Sequence, residues 1–234
     1  MVTRMIKRVT LVLMLGAVLG FFIVSMIDLE LIYNTFGKDY FFANGLAETG
    51  SRNLVTGIYL DYRLFDSLFE AGILIVAVSG IMWISQHEID EKNAAFMLDK
   101  QKTPTLFVTF SRLVYPLMLA FGIYVIINGH VSPGGGFQGG AIVATAILIL
   151  YYIDIQKTTN VGTILTIEKV LFLTIVAIGS IAYFTRGEFF TNFFPVEASI
   201  ELKSIYLILL NVLIGLKVAL GLVAIFTAFL REGR

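Results

Sequence analysis

The run Ser204 to Leu230, SIYLILLNVLIGLKVALGLVAIFTAFL, contains one charge, Lys217, with 13 uncharged residues on either side of it. A helix that crosses a bilayer needs about 20 mostly apolar residues, so this stretch reads as a span with a lysine near its middle. At about 1.5 Å of rise per residue, Lys217 lies close to 20 Å from either end of the run, too deep for its head to snorkel to water. A charge at such a position costs roughly 2.5 to 3.5 kcal/mol on insertion scales. Lys217 therefore needs a protein or water partner, either as a lock between two helices or as a group that changes charge while protons move. Asn211, Gly215 and Ala219 recur every four residues along the same run, a small or polar stripe suited to close helix packing.

The rest of the chain agrees with a bilayer. Of 234 residues 57% are hydrophobic and only 15% charged, and the mean hydropathy is +0.86, whereas soluble domains carry about 25% charged residues. A soluble enzyme is excluded. Lys plus Arg and Asp plus Glu number 17 each, which leaves no basic excess for nucleic acid. The absence of Cys removes disulfides, thiolate-bound zinc, iron–sulfur clusters and thioether-linked haem. His87 and His130 are the only histidines, so the reading has no cofactor, no metal site and no redox or hydrolytic chemistry.

Six stretches are long and apolar enough to read as spans, near residues 8–27, 65–85, 107–128, 137–153, 163–184 and 203–230. The uncharged run Val9 to Ile27 exceeds a signal-peptide core of about 7 to 15 residues, so the first is read as a retained span. The expected fold is an all-α integral membrane protein of about six transmembrane helices. Lys and Arg are denser at the N-terminus (Arg4, Lys7, Arg8), after the second span (Lys92, Lys100, Lys102), at Lys157 and in the tail (Arg231, Arg234) than on the other side (Lys38, Arg52, Arg63, Arg186, Lys203). That bias puts both termini in the cytoplasm. The charge-dense Gln86 to Thr103, closed by Pro104, reads as a linker between a two-span unit, residues 1–95, and a four-span unit, residues 103–234. Asp28 to Tyr62, with glycines among aromatics, reads as an ordered extracytoplasmic or interfacial excursion.

Further charges bear on function. Arg63, Asp66 and Glu70 fall at i, i+3 and i+7, hence on one helical face. Arg63 can neutralise the shallow Asp66, whereas Glu70 lies inside hydrocarbon, followed by sixteen uncharged residues, and is the better proton carrier. The bland alternative is a Glu70 hydrogen-bonded to a neighbouring helix. Glu168 and Lys169 lie near the start of the fifth span and point about 100° apart; they read first as interfacial residues reaching for headgroups, with Glu168 a candidate partner for Lys217.

Asn128 to Gly140 reads NGHVSPGGGFQGG. Pro133 removes a backbone donor, and Gly134, Gly135, Gly136, Gly139 and Gly140 permit close backbone approach around Phe137, so the stretch reads as a tight irregular turn or a short re-entrant segment joining two spans at the membrane edge. Gly134, Gly136 and Gly139 match G-x-G-x-x-G, but no strand precedes them and no βαβ unit surrounds them, and no lysine follows to make a P-loop. His130 beside such a turn is either a structural hydrogen-bonded residue or a proton relay.

The run Gly129 to Gly140, GHVSPGGGFQGG, resembles the hallmark turn of the MnhB family, the B-type subunits of the Mrp-type (Mnh) cation/proton antiporters, which are complexes of several subunits. NVLIGLKVALG, residues 211–221, is similar to that family's N-x-x-I-G-x-K-V-x-x-G segment, as is Glu168-Lys169. The first hundred residues resemble, more weakly, the two-span module that follows the antiporter-like part of the large, A-type Mrp subunit, and that stands as a separate subunit in membrane-bound hydrogenases. That likeness rests on NLVTGIYLDYRLFDSLFE, residues 53–70, where Asn53, Val55, Asp61, Arg63, Asp66 and Glu70 fit the pattern while Leu64 stands for a common Gly and Ser67 for a Thr.

The resemblance implies a fusion of these two modules. It implies one member of a hetero-oligomeric complex in a prokaryotic plasma membrane, moving sodium ions and protons beside other antiporter subunits, with or without a hydrogenase-like redox arm. Gly16 and Gly20 would offer a G-x-x-x-G face to such neighbours. The competing expectation is a purely architectural subunit whose buried charges are helix locks, and a weaker one is an autonomous homo-oligomeric transporter.

Overall fold

The computed structural model describes residues 2–27, 35–84, 104–153, 160–195 and 197–232. The proposed linker, Gln86 to Thr103, lies outside them, as do His87 and Lys157. The chain divides into two compact units, residues 1–39 and 40–234.

The first unit contains α1, Val2–Ile27, and the start of α2, Phe36–Thr49. From Arg8 to Met26 α1 is long and apolar enough to cross a membrane. An α-helix with apolar side chains on every side satisfies its backbone internally and leaves its whole surface to lipid or protein.

In the second unit, α2 leads to a short helix, α3, Leu54–Gly57, which passes without a break into a π-helical turn, Ile58–Tyr62. The spans are α4, Leu64–Ile84; α5, Thr105–Ile127; α6, Gly136–Ile153; α7, Val161–Arg186; and α8, Ile200–Glu232. With α1 counted, five helices among the described residues are long and apolar enough to span a bilayer, and the apolar part of α6 is a shorter helix, Gly136–Tyr151. The all-α membrane architecture expected from the sequence is present at those positions.

α8 is the centre of the second unit, packed by α4, α5, α6 and α7. Lipid tails are as apolar as leucine, so close packing decides which helix lies inside. The side chains of Tyr206, Leu207, Leu210, Ile214 and Val218 form the main core with Leu60, Leu64 and Ile175. Where α8 meets α6, glycines bring the backbones together: a Cβ on Gly140 would lie 2.6 Å from the Gly215 carbonyl oxygen. α7 starts with Asn160, whose side chain accepts from the Thr163 N–H (3.3 Å), and ends at Gly187 with φ +74°, the left-handed cap that glycine adopts without strain.

Candidate functional site

Lys217 is 0% exposed at the middle of α8 and meets Glu168 of α7, itself 1% exposed, with Nζ 3.1 Å from Oε1. Nζ also donates to the carbonyl oxygen of Ala71 on α4 at 2.6 Å. One ammonium thus joins three helices. Neither Glu168 oxygen accepts an aligned hydrogen bond among the described residues, so the contact with Lys217 is Coulombic first and the carboxylate keeps acceptor capacity in reserve. Such a pair can hold its charges or pass one proton across 3.1 Å. The interfacial reading of Glu168 is corrected here: the offset of about 100° between helical neighbours turns Glu168 inward and leaves Lys169 exposed.

Asp66 and Glu70 lie on the exposed face of α4, and Arg63, in the turn just before its start, is exposed beside Asp66. Arg63 Nη2 lies 2.5 Å from Asp66 Oδ2, with the two side chains 65% and 54% exposed. Glu70, one turn further into the span, makes no hydrogen bond or ion pair among the described residues and points away from the helix core. Its immediate neighbour is Ala71, the acceptor for Lys217. One turn of α4 therefore offers the Ala71 carbonyl to the buried pair and carries the outward Glu70 carboxylate.

The glycine-rich stretch is held from two directions. Residues 51–59 grip its backbone: Asn53 Nδ2 donates to the Gly129 and Ser132 carbonyls at 2.8 and 2.9 Å, Thr56 Oγ1 to Gly129 at 2.6 Å, and Ser51 Oγ to His130 at 3.0 Å. From α8, the fully buried Asn211 accepts at Oδ1 from Gly136 N (2.8 Å) and Tyr59 Oη (3.0 Å). A Cβ on Gly135 would collide with Tyr59 Oη, and one on Gly139 with Ile126 Cγ1. These close approaches explain the glycine density. Pro133 and Gly134 lie at the outer edge of the turn, and Phe137 packs against the main core. The half-buried His130 ring has Nδ1 3.2 Å from the Ile127 carbonyl and makes no ion pair among the described residues. It is brought to the turn, and not to Glu70, Glu168 or Lys217.

Sequence reasoning missed a second buried polar group. Asp61, in the π-turn, is 4% exposed and accepts from Thr191 Oγ1 (2.7 Å) and the Asn192 N–H (2.8 Å). Burial pushes its carboxyl above the ordinary carboxylate range, against those two hydrogen bonds and the positive Arg186 and Lys203. Arg186 Nη1 donates to the Asn192 carbonyl, and the buried Lys203 to that of Ala47 at 2.8 Å. Beside them Tyr62 and Tyr40 both donate to Glu48. A π-turn rotates side chains off the 3.6-residue period, so spacing does not disclose that Asp61 turns inward while Arg63 turns out. Among the described residues no three Asp, Glu or His side chains converge as metal ligands.

Residues 106–224 match a family described as a domain related to the MnhB subunit of Na+/H+ antiporter. The chain belongs to this family. Within the MnhB-related region lie the glycine-rich turn, Glu168 and Lys217. A B-type Na+/H+ antiporter subunit of Alkalihalophilus pseudofirmus is 40% identical over 55 residues, 24% of this chain and 38% of that protein, so the match spans less than half of that relative. An uncharacterised protein of Methanocaldococcus jannaschii is 29% identical over 197 residues, 73% of this chain and 74% of that one. A chain of the membrane-bound sulfane sulfur reductase, an archaeal respiratory membrane complex, superposes with a TM-score of 0.67 at 26% identity, covering 96% of this chain and 98% of that chain. With its spans and this kinship, the MnhB-related chain is a multi-pass protein of a prokaryotic plasma membrane, in a family concerned with transport.

Proposed function

We propose that this chain is a membrane subunit of a hetero-oligomeric assembly that exchanges sodium ions and protons, in which the Lys217–Glu168 pair and the Arg63, Asp66, Glu70 face contribute to the ion path. The observation that carries the reading is the wholly buried Lys217–Glu168 contact tied to α4 beside Glu70. A pair so short of hydrogen bonds is a poor way to stabilise helices, since burying two charges costs more than the pair returns unless every lone pair is met. Residues 1–95 serve as the two-span module and 103–234 as the MnhB-like module. His130 and the turn from Pro133 to Gly140 shape the entrance to α6.

Two settings are compatible with the family: a stand-alone antiporter and the ion-pumping arm of a redox-driven complex. The end-to-end correspondence with a subunit of a respiratory membrane complex supports the second. Partner subunits are then other antiporter-type membrane proteins and a redox arm, and this chain carries no cofactor of its own.

Proton flux in inverted membrane vesicles, driven by a sodium gradient and normalised to assembled complex, tests the reading. Glu70→Gln is expected to leave the yield of complex intact and to reduce that flux strongly; unchanged flux removes Glu70 from the path. In the architectural alternative, supported by the Lys217 ammonium donating across helices to the Ala71 carbonyl, Glu70→Gln and Lys217→Met lower yield or thermal stability and leave turnover per complex as it was.

A further inference from the structure

The outward face of α4 combines features that lipid alone does not satisfy. Asp66, Glu70, Ile73 and Ala77 follow at spacings of four, three and four, so they form one continuous stripe. Asp66 is matched by Arg63 within the chain at 2.5 Å. Glu70 lies six residues beyond the start of the span at Leu64, about 9 Å along the axis at 1.5 Å per residue, and has no partner among the described residues. The same stripe borders an apolar groove of about 640 Å³ between α4 and α7, lined by Phe65, Phe69, Ile73, Val76 and Phe172. Those four α4 side chains are 52% to 73% exposed, and at Gly72 a Cβ would meet nothing within 4 Å, which leaves room for a neighbouring helix to approach closely. An acyl chain would fill the groove and leave the adjacent carboxylate facing hydrocarbon. A helix fills the groove and can also answer the charge.

We infer that this face of α4 is the docking surface for a transmembrane helix of another subunit, which lies in the Phe69–Ile73 groove and presents a cationic or hydrogen-bond-donating side chain to Glu70. The inference rests on the reading of the chain as part of a hetero-oligomeric assembly and adds to it a specific surface and the chemistry of its occupant. The occupant's donor completes Glu70 from outside, while Lys217 sits on the inner side of the same turn through Ala71. A proton site built this way is finished only when the subunits meet, which couples ion movement to assembly.

The test is photo-crosslinking in the intact membrane complex, with benzoylphenylalanine placed at position 69 or 73 and the products identified by peptide mass spectrometry. The expected product joins α4 to a membrane helix of a different subunit, with a Lys, Arg, His, Asn, Gln, Ser, Thr or Tyr within one helical turn of the crosslinked residue. Adducts to lipid alone, to α1 of the same chain or to a second copy of this chain overturn the inference, as does a partner helix without a donor within that turn. Independently of the probe, Glu70→Ala should lower co-purification of the crosslinked protein at least several-fold while Glu70→Gln, which still hydrogen-bonds, retains it; equal retention in both variants overturns the role given to Glu70. A chain that purifies alone defeats the functional reading and this one together, whereas a heteromeric complex whose probes capture only lipid defeats this inference and leaves the other standing.

Discussion

Replacing Lys217 by Met removes one ammonium from the centre of α8 and strands a carboxylate that is 1% exposed and accepts no aligned hydrogen bond among the described residues. The Ala71 carbonyl keeps its place within α4 and loses only the extra donor. Breaking a buried pair from one side costs about 3 to 5 kcal/mol, which is roughly two to three and a half powers of ten in the folded ratio. Replacing both partners, Lys217→Met with Glu168→Gln, leaves no stranded charge and should return most of that loss, because the desolvation of two ions no longer has to be offset. The assay is a thermal-retention series on detergent-purified complex for the wild type, both single variants and the double variant, with sodium-driven proton flux per complex measured on the same preparations. The expected pattern is two strongly destabilised singles, a double variant near the wild type in stability, and little flux in any variant. If Lys217→Met alone is as stable as the double variant, the pair is not the energetic unit described above. If the double variant recovers flux along with stability, the charges are helix locks and not part of an ion path.

Other outcomes follow from the same geometry. Gly139→Ala drives a Cβ into Ile126 Cγ1 and to 2.7 Å from the Gly122 carbonyl oxygen, and overpacking of this kind costs about 1 to 3 kcal/mol; yield of folded subunit should fall, while Gly162→Ala, whose Cβ would meet only Asn160 Oδ1 at 3.3 Å, should express normally. Asn211→Leu deprives the Gly136 N–H and the Tyr59 hydroxyl of their acceptor, at about 1 to 3 kcal/mol for each buried donor left unmet; limited proteolysis at the glycine-rich turn should accelerate, and unaltered cleavage would disprove the clamp. Burial holds the Asp61 carboxyl above its ordinary 3.8, so the closed loop binds the proton more tightly than the opened one, and its protection is fullest below that value and declines as pH rises through the raised one. Hydrogen exchange at Thr191 and Asn192, corrected for intrinsic rates, should therefore show more protection at mildly acidic than at neutral pH, and Asp61→Asn should flatten the profile; the opposite slope would refute the assignment.

Much of the architecture could be read in one dimension because a bilayer imposes a length and a polarity on every segment that crosses it. The run around Lys217, the spans flanking the glycine-rich turn and the need of Lys217 for a partner all follow from hydropathy and from the cost of a charge in hydrocarbon. Spacing also put Arg63, Asp66 and Glu70 on one face. What spacing along a helix does not carry is which face meets which neighbour. That α8 lies innermost, that Glu168 turns in while Lys169 turns out, that the Lys217 ammonium reaches Ala71, and that Glu70 lies on the exposed face of α4 were decided by how five helices pack around glycines. The π-turn that buries Asp61 departs from the regular period, and its partners Thr191 and Asn192 lie 130 and 131 residues away. Solvent acts on each residue where it stands, so the sequence by itself determined the spans; contacts between distant residues exist only once the chain is folded, so the tertiary structure alone decided which charges meet.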